Sequence, residues 1–206
     1  MTADGPLPEV APRFVLASGS PRRRQLLKEA GYVFEVVSPQ VEEVSFGWLT
    51  IRELTVCNAT RKAWSAAQTL PDAVVLSADT LVTIGDRVLG KPVDLEDAAR
   101  MLRLLSGRSH QVWTAVCLCH RAPGRSRSFC AVSRVKFHDL TDRKIRNYFA
   151  KVNPLDKAGA YAAQGHGQEI IQRIGGSYSN VVGLPMELTL PALAAFGLTP
   201  VVTSSR

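Results

Sequence analysis

Short apolar runs alternate with stretches of helical periodicity along most of this chain. The first run, residues 14–17, is followed by a turn through residues 18–20 and by a helical pattern that ends near Gly31. Residues 32–37 and 74–84 are rich in β-branched and aromatic residues, which is typical of strands. Residues 74–84 are apolar almost throughout, as in a central strand covered on both faces, and Asp79 is the carboxylate that interrupts them.

The later pattern predicts further helices and strands. The segments expected to be helical are residues 51–69 behind a capping box, 95–105 behind Asp94, 141–150, and a last helix from about residue 186 that Pro191 breaks or kinks. The segments expected to be strands are residues 88–89 after a Gly-Asp turn, 110–119, 128–137 and 170–174, with a solvated loop at 120–127. This alternation predicts an α/β sheet with a cleft at its strand ends.

A length of 206 residues fits a single domain, which we take to span residues 1–206. Residues 1–12 carry several prolines and acids and are expected to be a flexible N-terminus rather than a signal or transit segment. No apolar run approaches the roughly 20 residues of a membrane span, and the four cysteines contain no C-x-x-C pair. We therefore expect a soluble cytoplasmic protein in a reducing compartment, without membrane partners.

The net charge of +7 fits an acidic partner, either a nucleotide, a nucleic acid or an anionic membrane, and does not choose among them. Residues 18–24 concentrate part of that charge at a helix start, where Ser20 can cap and Pro21 needs no hydrogen bond. Three arginines follow at the end of the helix that is already positive. They are either solvated surface charges or, as we expect, part of a phosphate site.

Asp79 is the second candidate, because a buried carboxylate needs a cation, a shifted pKa or a hydrogen-bond network. Lys91 follows the return strand in register beside it and is either a surface lysine or a partner of this site. Glu42 and Glu43 are either both solvated or include one that points inward to a cation. Helical propensity alone predicts that Lys62 is exposed.

A third polar cluster, Asp156, Lys157 and Gln164, lies in a glycine-rich stretch. If the three clusters meet in one cleft, the first binds phosphate and Asp79 either holds Mg²⁺ or activates water. No G-x-x-x-x-G-K-[ST] motif supports a P-loop ATPase. The residues alone therefore indicate a nucleotide hydrolase or a phosphate-ester hydrolase.

Several motifs together resemble those of the Maf family. They are LASGSPRRRQLL at 16–27, ADT at 78–80, GKP at 90–92, LSGR at 105–108, DKAGAY at 156–161, QG at 164–165 and NVVGLP at 180–185. They follow one another across almost the whole chain. The resemblance implies a nucleoside triphosphate pyrophosphatase that forms a monophosphate and pyrophosphate with Mg²⁺ or Mn²⁺. It also implies a mixed twisted α/β sheet with flanking helices, two lobes and a deep central cleft, as in the inosine triphosphatases.

The resemblance assigns roles to individual residues. The general base falls on Asp79, and the metal-binding acids fall on Asp79 and on Glu42 or Glu43. The residues expected to bind the triphosphate are Ser18, Arg22, Arg23, Lys62 and Lys91. This assignment revises the exposed position predicted for Lys62.

The resemblance extends to the branch that hydrolyses dTTP and UTP, through Arg22, Thr80 and Gln164 as specificity residues. Modified pyrimidine nucleotides belong to the same expectation, and homodimerisation is implied by the resemblance alone. An alternative is a nucleotide-sensing protein without turnover that binds nucleic acid or regulates cell division. Its basis is the basic region 121–134, but no aromatic residues interleave with the arginines at 120–127, so we expect no nucleic-acid partner.

Overall fold

The computed structural model describes residues 12–44 and 47–201, which form six α-helices and a single mixed sheet of seven strands. The strands are β1 Arg13–Ala17, β2 Glu35–Val37, β3 Ala73–Ile84, β4 Arg87–Leu89, β5 Ser109–His120, β6 Arg125–Phe137 and β7 Ile171–Gly175. The helices are α1 Pro21–Glu29, α2 Ile51–Thr69, α3 Leu95–Leu105, α4 Asp142–Phe149, α5 Tyr178–Val182 and α6 Met186–Ala195. Two 3₁₀ segments, Ala158–Ala160 and Gly165–Glu169, precede β7. Apart from Pro12, the predicted N-terminal segment lies outside the described residues.

The strand order is β2-β1-β3-β5-β6-β7, and β4 pairs with the end of β3. The pairs β1–β2 and β1–β3 are parallel, whereas all pairs from β3 onward are antiparallel. The sheet is therefore mixed, which confirms the predicted α/β class. No helix in the described ranges is long and apolar enough to cross a membrane.

The long strands β3 and β5 run through both lobes of the molecule. In the first lobe, small residues of α2 such as Ala59 and Ala63 pack on one face of the sheet. The opposite face packs against Leu27 of α1 and Leu193 of α6. In the second lobe, the far halves of β3, β5 and β6 bury a separate core with α3 and α4. The cleft lies where β3 passes from one core to the other.

Three local predictions differ from the structure. The strand expected over residues 32–37 is restricted to β2, because Tyr32 and Phe34 instead pack edge-on against Phe14, with ring centroids 5.9 and 5.8 Å away. Their apolar character serves aromatic packing rather than strand pairing. The loop expected over residues 120–127 is only a tight turn at 121–124, because β5 and β6 stay paired up to His120 and Arg125.

Of the two outcomes expected at Pro191, a break or a kink, the break is wrong, since α6 continues through Pro191 to Ala195. A proline in a helix removes one backbone hydrogen bond. Here its ring lies on the exposed side of the helix, while Thr189, Ala192 and Leu193 are buried. The packing of this buried side holds the helix together across the missing bond.

Candidate active site

A cleft of about 510 Å³ separates the two lobes. It is lined by parts of all three polar clusters and by residues of β3 and α2. The predicted site residues in its lining are Ser18, Arg22, Arg23, Glu43, Lys62, Asp79, Thr80 and Lys91. The folding of the chain thus brings together residues that lie more than 70 positions apart in the sequence.

Strand alternation in β3 explains why two neighbouring residues serve opposite walls of the cleft. Successive side chains of a strand point to opposite faces of the sheet. Val75 belongs to the core beneath α2, and Asp79, four residues later, points to the same face. Ala78 belongs to the core beneath α1, and Thr80 contacts α1 on that face.

Asp79 is buried with an exposed fraction of 3%, and its carboxylate pairs with Lys62 of α2. The Lys62 ammonium lies 2.6 Å from Asp79 Oδ1 and 2.6 Å from Glu43 Oε1, so it bridges two carboxylates. Asp79 Oδ2 is buried and accepts no hydrogen bond from the described residues. One oxygen of the carboxylate is therefore bound to Lys62, and the other has no hydrogen-bond partner among the described residues.

The environment separates the pKa values of the two carboxylates. Burial raises the pKa of Asp79 above its ordinary value, although the charge and hydrogen bond of Lys62 oppose the shift. Burial also acts to raise the pKa of Glu43, but Lys62 outweighs it, and the pKa lies below its ordinary value. Groups whose pKa values are pushed apart in this way can take different roles in proton transfer. Asp79 is the stronger base of the two.

Helix α1 begins at the cleft, as its sequence predicts. The Ser20 side chain caps the helix by accepting a hydrogen bond from the backbone of Arg23, and Pro21 occupies the first turn. The guanidinium of Arg23 donates to Ser18 Oγ at 3.1 Å and to Thr80 Oγ1 at 3.0 Å. Burial lowers its pKa to about 10, so it remains a cation at neutral pH.

Gly183 provides a third acceptor for Arg23, because its carbonyl lies 2.8 Å from Arg23 Nε. Its φ of 122° lies in the region that favours glycine. A Cβ at this position would lie 3.6 Å from both Arg23 Nε and Thr80 Oγ1. A glycine at this turn therefore lets the carbonyl face the guanidinium.

Arg22 binds Asp156 at the opposite rim of the cleft. Its Nη1 lies 2.9 Å from Asp156 Oδ2, and its Nη2 donates to the Asp156 carbonyl at 3.2 Å. Lys157 pairs with the other oxygen of the same carboxylate at 2.5 Å. The third polar cluster therefore joins the first across the cleft through an ion pair that is partly open to solvent.

Residues 161–163 form the wall beside this pair. Hydrogen bonds of three tyrosine hydroxyl groups fix this wall. The Tyr161 hydroxyl lies 2.8 Å from His110 Nε2, and burial lowers the pKa of His110 to about 4. The Tyr148 hydroxyl accepts from the backbone N–H of Ala162 at 3.0 Å, and the Tyr178 hydroxyl donates to the Ala163 carbonyl at 3.3 Å. This wall has a fixed backbone directly before Gln164.

The structure corrects the exposed position that propensity predicts for Lys62. Its side chain is 15% exposed and lies between two carboxylates, because the alanine face of α2 brings the helix close to the sheet. Lys91 is exposed, but its charge contributes to the low pKa of Glu43, which places it at the same site. Of the adjacent glutamates, Glu43 lines the cleft, and Glu42 does not.

Gln164 is half-buried at the start of the second 3₁₀ segment, just beyond the residues that line the cleft. Sequence reasoning missed Thr114, whose hydroxyl lies 3.0 Å from that of Thr80. It also missed His110, whose partner is the wall residue Tyr161. Both lie in β5. Thr114 is a polar residue between the apolar Trp113 and Ala115, and His110 lies between the polar residues Ser109 and Gln111, so neither pattern gives a signal of its own.

The donor set suits a divalent cation, because Mg²⁺ prefers oxygen ligands and keeps several waters. Asp79 Oδ2 is a buried carboxylate oxygen without a protein partner among the described residues, and Glu43 shares the Lys62 ammonium with Asp79. No group of three or more His, Cys, Asp or Glu within the described residues could hold a metal by itself. A cation here would have to share its coordination with substrate or water.

The sequence of this chain is similar to that of a known protein family over most of its length. The sequence profile of the family described as Maf-like protein matches residues 13–196. A dTTP/UTP pyrophosphatase of Pelotomaculum thermopropionicum is 45% identical over 183 residues, which cover 89% of this chain and 96% of that protein. A dTTP/UTP pyrophosphatase of Bdellovibrio bacteriovorus is 43% identical over 190 residues, which cover 90% and 99%.

Among solved structures, the Ham1 protein of Staphylococcus aureus superposes with a TM-score of 0.52 and 17% identity, over 89% of this chain and 98% of that chain. This likeness shows the fold alone. It agrees with the predicted mixed sheet, flanking helices and central cleft.

The Lys62→Met variant should lose stability in a pH-dependent way. It keeps the apolar stem but leaves Asp79 buried without its cation, which costs about 3–5 kcal/mol when the charge cannot relax. Lys62 opposes the burial that raises the pKa of Asp79, so without Lys62 the pKa of Asp79 in the folded protein rises further above its ordinary value. A carboxyl group whose pKa is higher in the folded than in the unfolded protein makes the folded state less stable as the pH rises through these values. The loss of stability in the variant is therefore larger at about pH 8 than at about pH 5.

Urea denaturation of both proteins at the two pH values measures this difference. The Lys62→Met/Asp79→Asn double variant is the control, and we expect it to recover most of the loss at the higher pH. An equal loss at both pH values would show that Lys62 does not stabilise the ionised form of Asp79.

Proposed function

This chain belongs to the family of Maf-like proteins, and on that premise we propose that it is a nucleoside triphosphate pyrophosphatase that hydrolyses dTTP and UTP. The products are the nucleoside monophosphate and pyrophosphate. One observation carries the proposal: a buried carboxylate with one free oxygen, Asp79, faces a cleft whose walls supply several cations. Modified pyrimidine triphosphates fit the same chemistry.

Asp79 is the general base in this proposal. Its Oδ2 takes a proton from a water molecule, whose oxygen attacks the α-phosphorus. The bond between the α-phosphorus and the oxygen bridging to the β-phosphorus breaks, and pyrophosphate leaves with that oxygen. A raised pKa brings the carboxylate closer to the value that suits a base at neutral pH. Lys62 holds Oδ1 and so fixes the orientation of Oδ2.

The cationic wall binds the triphosphate. Arg23 presents a guanidinium already fixed by Ser18, Thr80 and Gly183, so little side-chain entropy is lost on binding. Arg22 and Lys91 add charge at the rim of the cleft. The start of α1 contributes its free N–H groups and its dipole.

A divalent cation completes the proposed site. Glu43 is the residue that would hold Mg²⁺ or Mn²⁺ directly, and Asp79 would contribute to the same cation through a water molecule, because its Oδ1 is bound to Lys62 and its Oδ2 is the proposed base. When bound, the cation supplies neutralisation of the negative charge that builds up on the phosphates. Glu42 lies outside the lining and has no part in this assignment.

Selection of the base belongs to the wall at residues 161–163 and to Gln164 behind it. An amide side chain can both donate to and accept from a pyrimidine ring. Arg22, which pairs with Asp156 across the lip, borders the same space and contributes to selection in this proposal. Thr80 is hydrogen-bonded to Arg23 and therefore acts on the triphosphate in this proposal.

The nucleotide-sensing alternative rests on the arginines around the β5–β6 turn. Two of them have partners within the protein. Arg121 donates to the Gln68 carbonyl at 3.1 Å, and Arg125 donates to the Ala195 carbonyl at 2.7 Å and lies 4.8 Å from the ring centroid of Phe196. We therefore favour hydrolysis over a nucleic-acid surface.

The Asp79→Asn variant tests the proposed base. Asparagine keeps the size of the side chain but cannot accept a proton, so kcat for dTTP should fall by about 100-fold to 10,000-fold while KM changes little. The assay is pyrophosphate release from dTTP, UTP, dATP and dGTP with Mg²⁺ or Mn²⁺. We expect the wild type to prefer the pyrimidine nucleotides, and full turnover by Asp79→Asn would refute the base assignment.

The adjacent glutamates form a matched pair of variants. Glu43→Gln should raise the Mg²⁺ concentration needed for half-maximal rate by roughly tenfold, because a charged oxygen ligand is lost. Glu42→Gln should leave it unchanged, since Glu42 lies outside the cleft lining. Equal shifts for the two variants, or a shift for Glu42→Gln alone, would contradict the assignment.

A further inference from the structure

We propose that Thr114, which does not line the cleft, is a positioning residue that orients Arg23 through the hydroxyl of Thr80. The proposal rests on the proposed function, because it gives Arg23 the task of binding the triphosphate. Thr114 lies in β5 and is fully buried. It therefore acts on a substrate only through other residues.

The register of the sheet brings the two threonines together. Thr80 and Thr114 are direct partners on the antiparallel strands β3 and β5, so their side chains lie on the same face. Their hydroxyl oxygens are 3.0 Å apart. On its other side, Thr114 Oγ1 donates to the backbone carbonyl of Asn180, also at 3.0 Å.

These contacts form a series of hydrogen bonds that begins at Arg23 and ends at the Asn180 carbonyl. The groups at its two ends fix the direction of each bond. A carbonyl can only accept, so the single hydroxyl proton of Thr114 is directed to Asn180. Thr114 must then accept from Thr80, which commits the single hydroxyl proton of Thr80. A guanidinium can only donate, so Thr80 accepts from Arg23 Nη2. The order is Arg23 to Thr80 to Thr114 to Asn180.

This order changes the role of Thr80. Its hydroxyl proton is directed away from the cleft, so it cannot donate to a nucleotide base. Its oxygen instead presents a fixed lone pair to Arg23. Hydrogen bonds in series polarise one another in surroundings of low dielectric, which strengthens this contact.

Arg23 itself uses three of the five donors of a guanidinium on Gly183, Ser18 and Thr80. Within the described residues, the remaining two have no protein acceptor and are available to a phosphate. Loss of the Thr114 hydroxyl would release the Thr80 proton and let its lone pair turn away. The plane of the guanidinium would then be held by two contacts instead of three.

The test compares Thr114→Val, which keeps the shape without the hydroxyl, with Thr114→Ser, which keeps the hydroxyl. The control is Ser133→Ala. Ser133 belongs to the same buried network, accepting from the Asn180 side chain at 2.9 Å and donating to the Ser177 carbonyl at 2.9 Å, but it lies off the chain that ends at Arg23. Thermal unfolding shows how much each variant destabilises the fold.

The first readout is calorimetric binding of the α,β-imido analogue of dTTP with Mg²⁺. We expect Thr114→Val to weaken binding about fivefold to tenfold, since a net hydrogen bond is lost, and Thr114→Ser and Ser133→Ala to stay within about twofold. In an Arg23→Ala background, Thr114→Val should weaken binding no further, because its effect passes through Arg23. Equal effects of Thr114→Val and Ser133→Ala, or full additivity with Arg23→Ala, would overturn the proposal.

The second readout needs no nucleotide. The Nε–H signal of Arg23 is assigned by its loss in Arg23→Lys, and its exchange with solvent is then measured by NMR. We expect exchange to be at least about fivefold faster in Thr114→Val and unchanged in Ser133→Ala. Unchanged exchange in Thr114→Val refutes the positioning role even if the enzyme hydrolyses dTTP, whereas faster exchange in a protein that binds no analogue refutes the proposed function alone.

Discussion

A buried carboxylate that keeps one oxygen free is the constraint on which the cleft depends. An ionised Asp79 inside the sheet would be too costly without a cation. Lys62 supplies that cation at 2.6 Å and occupies only Oδ1, so the cost of burial is offset while Oδ2 stays available. The same ammonium ties Glu43 to the edge of the cleft. The position of α2 thus supplies the cation that both carboxylates share.

Strand β3 carries residues of both walls of the cleft. The alternation of β3 sends Asp79 toward α2 and Thr80 toward α1, so a single backbone segment supports both the proposed base and the proposed triphosphate grip. Because β3 continues from the core of one lobe into that of the other, the two groups sit at the floor of the cleft. Their separation is then set by the strand rather than by mobile loops, which suits a site that must hold its geometry.

Much of the fold and the two strongest local signals could be predicted from the sequence. Asp79 stands out because one carboxylate interrupts an apolar run, and Arg22 and Arg23 stand out because cations follow a helix cap. Lys62 gives no such signal, since its role depends on how closely the alanine face of α2 approaches the sheet, and only the family resemblance assigned it. The sequence does not show which of Glu42 and Glu43 faces the cleft, because both lie in a loop, where no periodic pattern applies. Thr114 was not predicted at all, because in a strand its β-branched side chain fits the pattern whether or not its hydroxyl has a task.

In the proposed reaction, activated water attacks the α-phosphorus of a pyrimidine triphosphate, and the phosphate chain is cleaved between the α- and β-phosphates. The most direct measurement is hydrolysis of dTTP by the purified protein in ¹⁸O-labelled water, followed by mass spectrometry of both products. We expect one ¹⁸O atom in dTMP and none in pyrophosphate. Label in pyrophosphate, or release of dTDP and labelled inorganic phosphate, would contradict it.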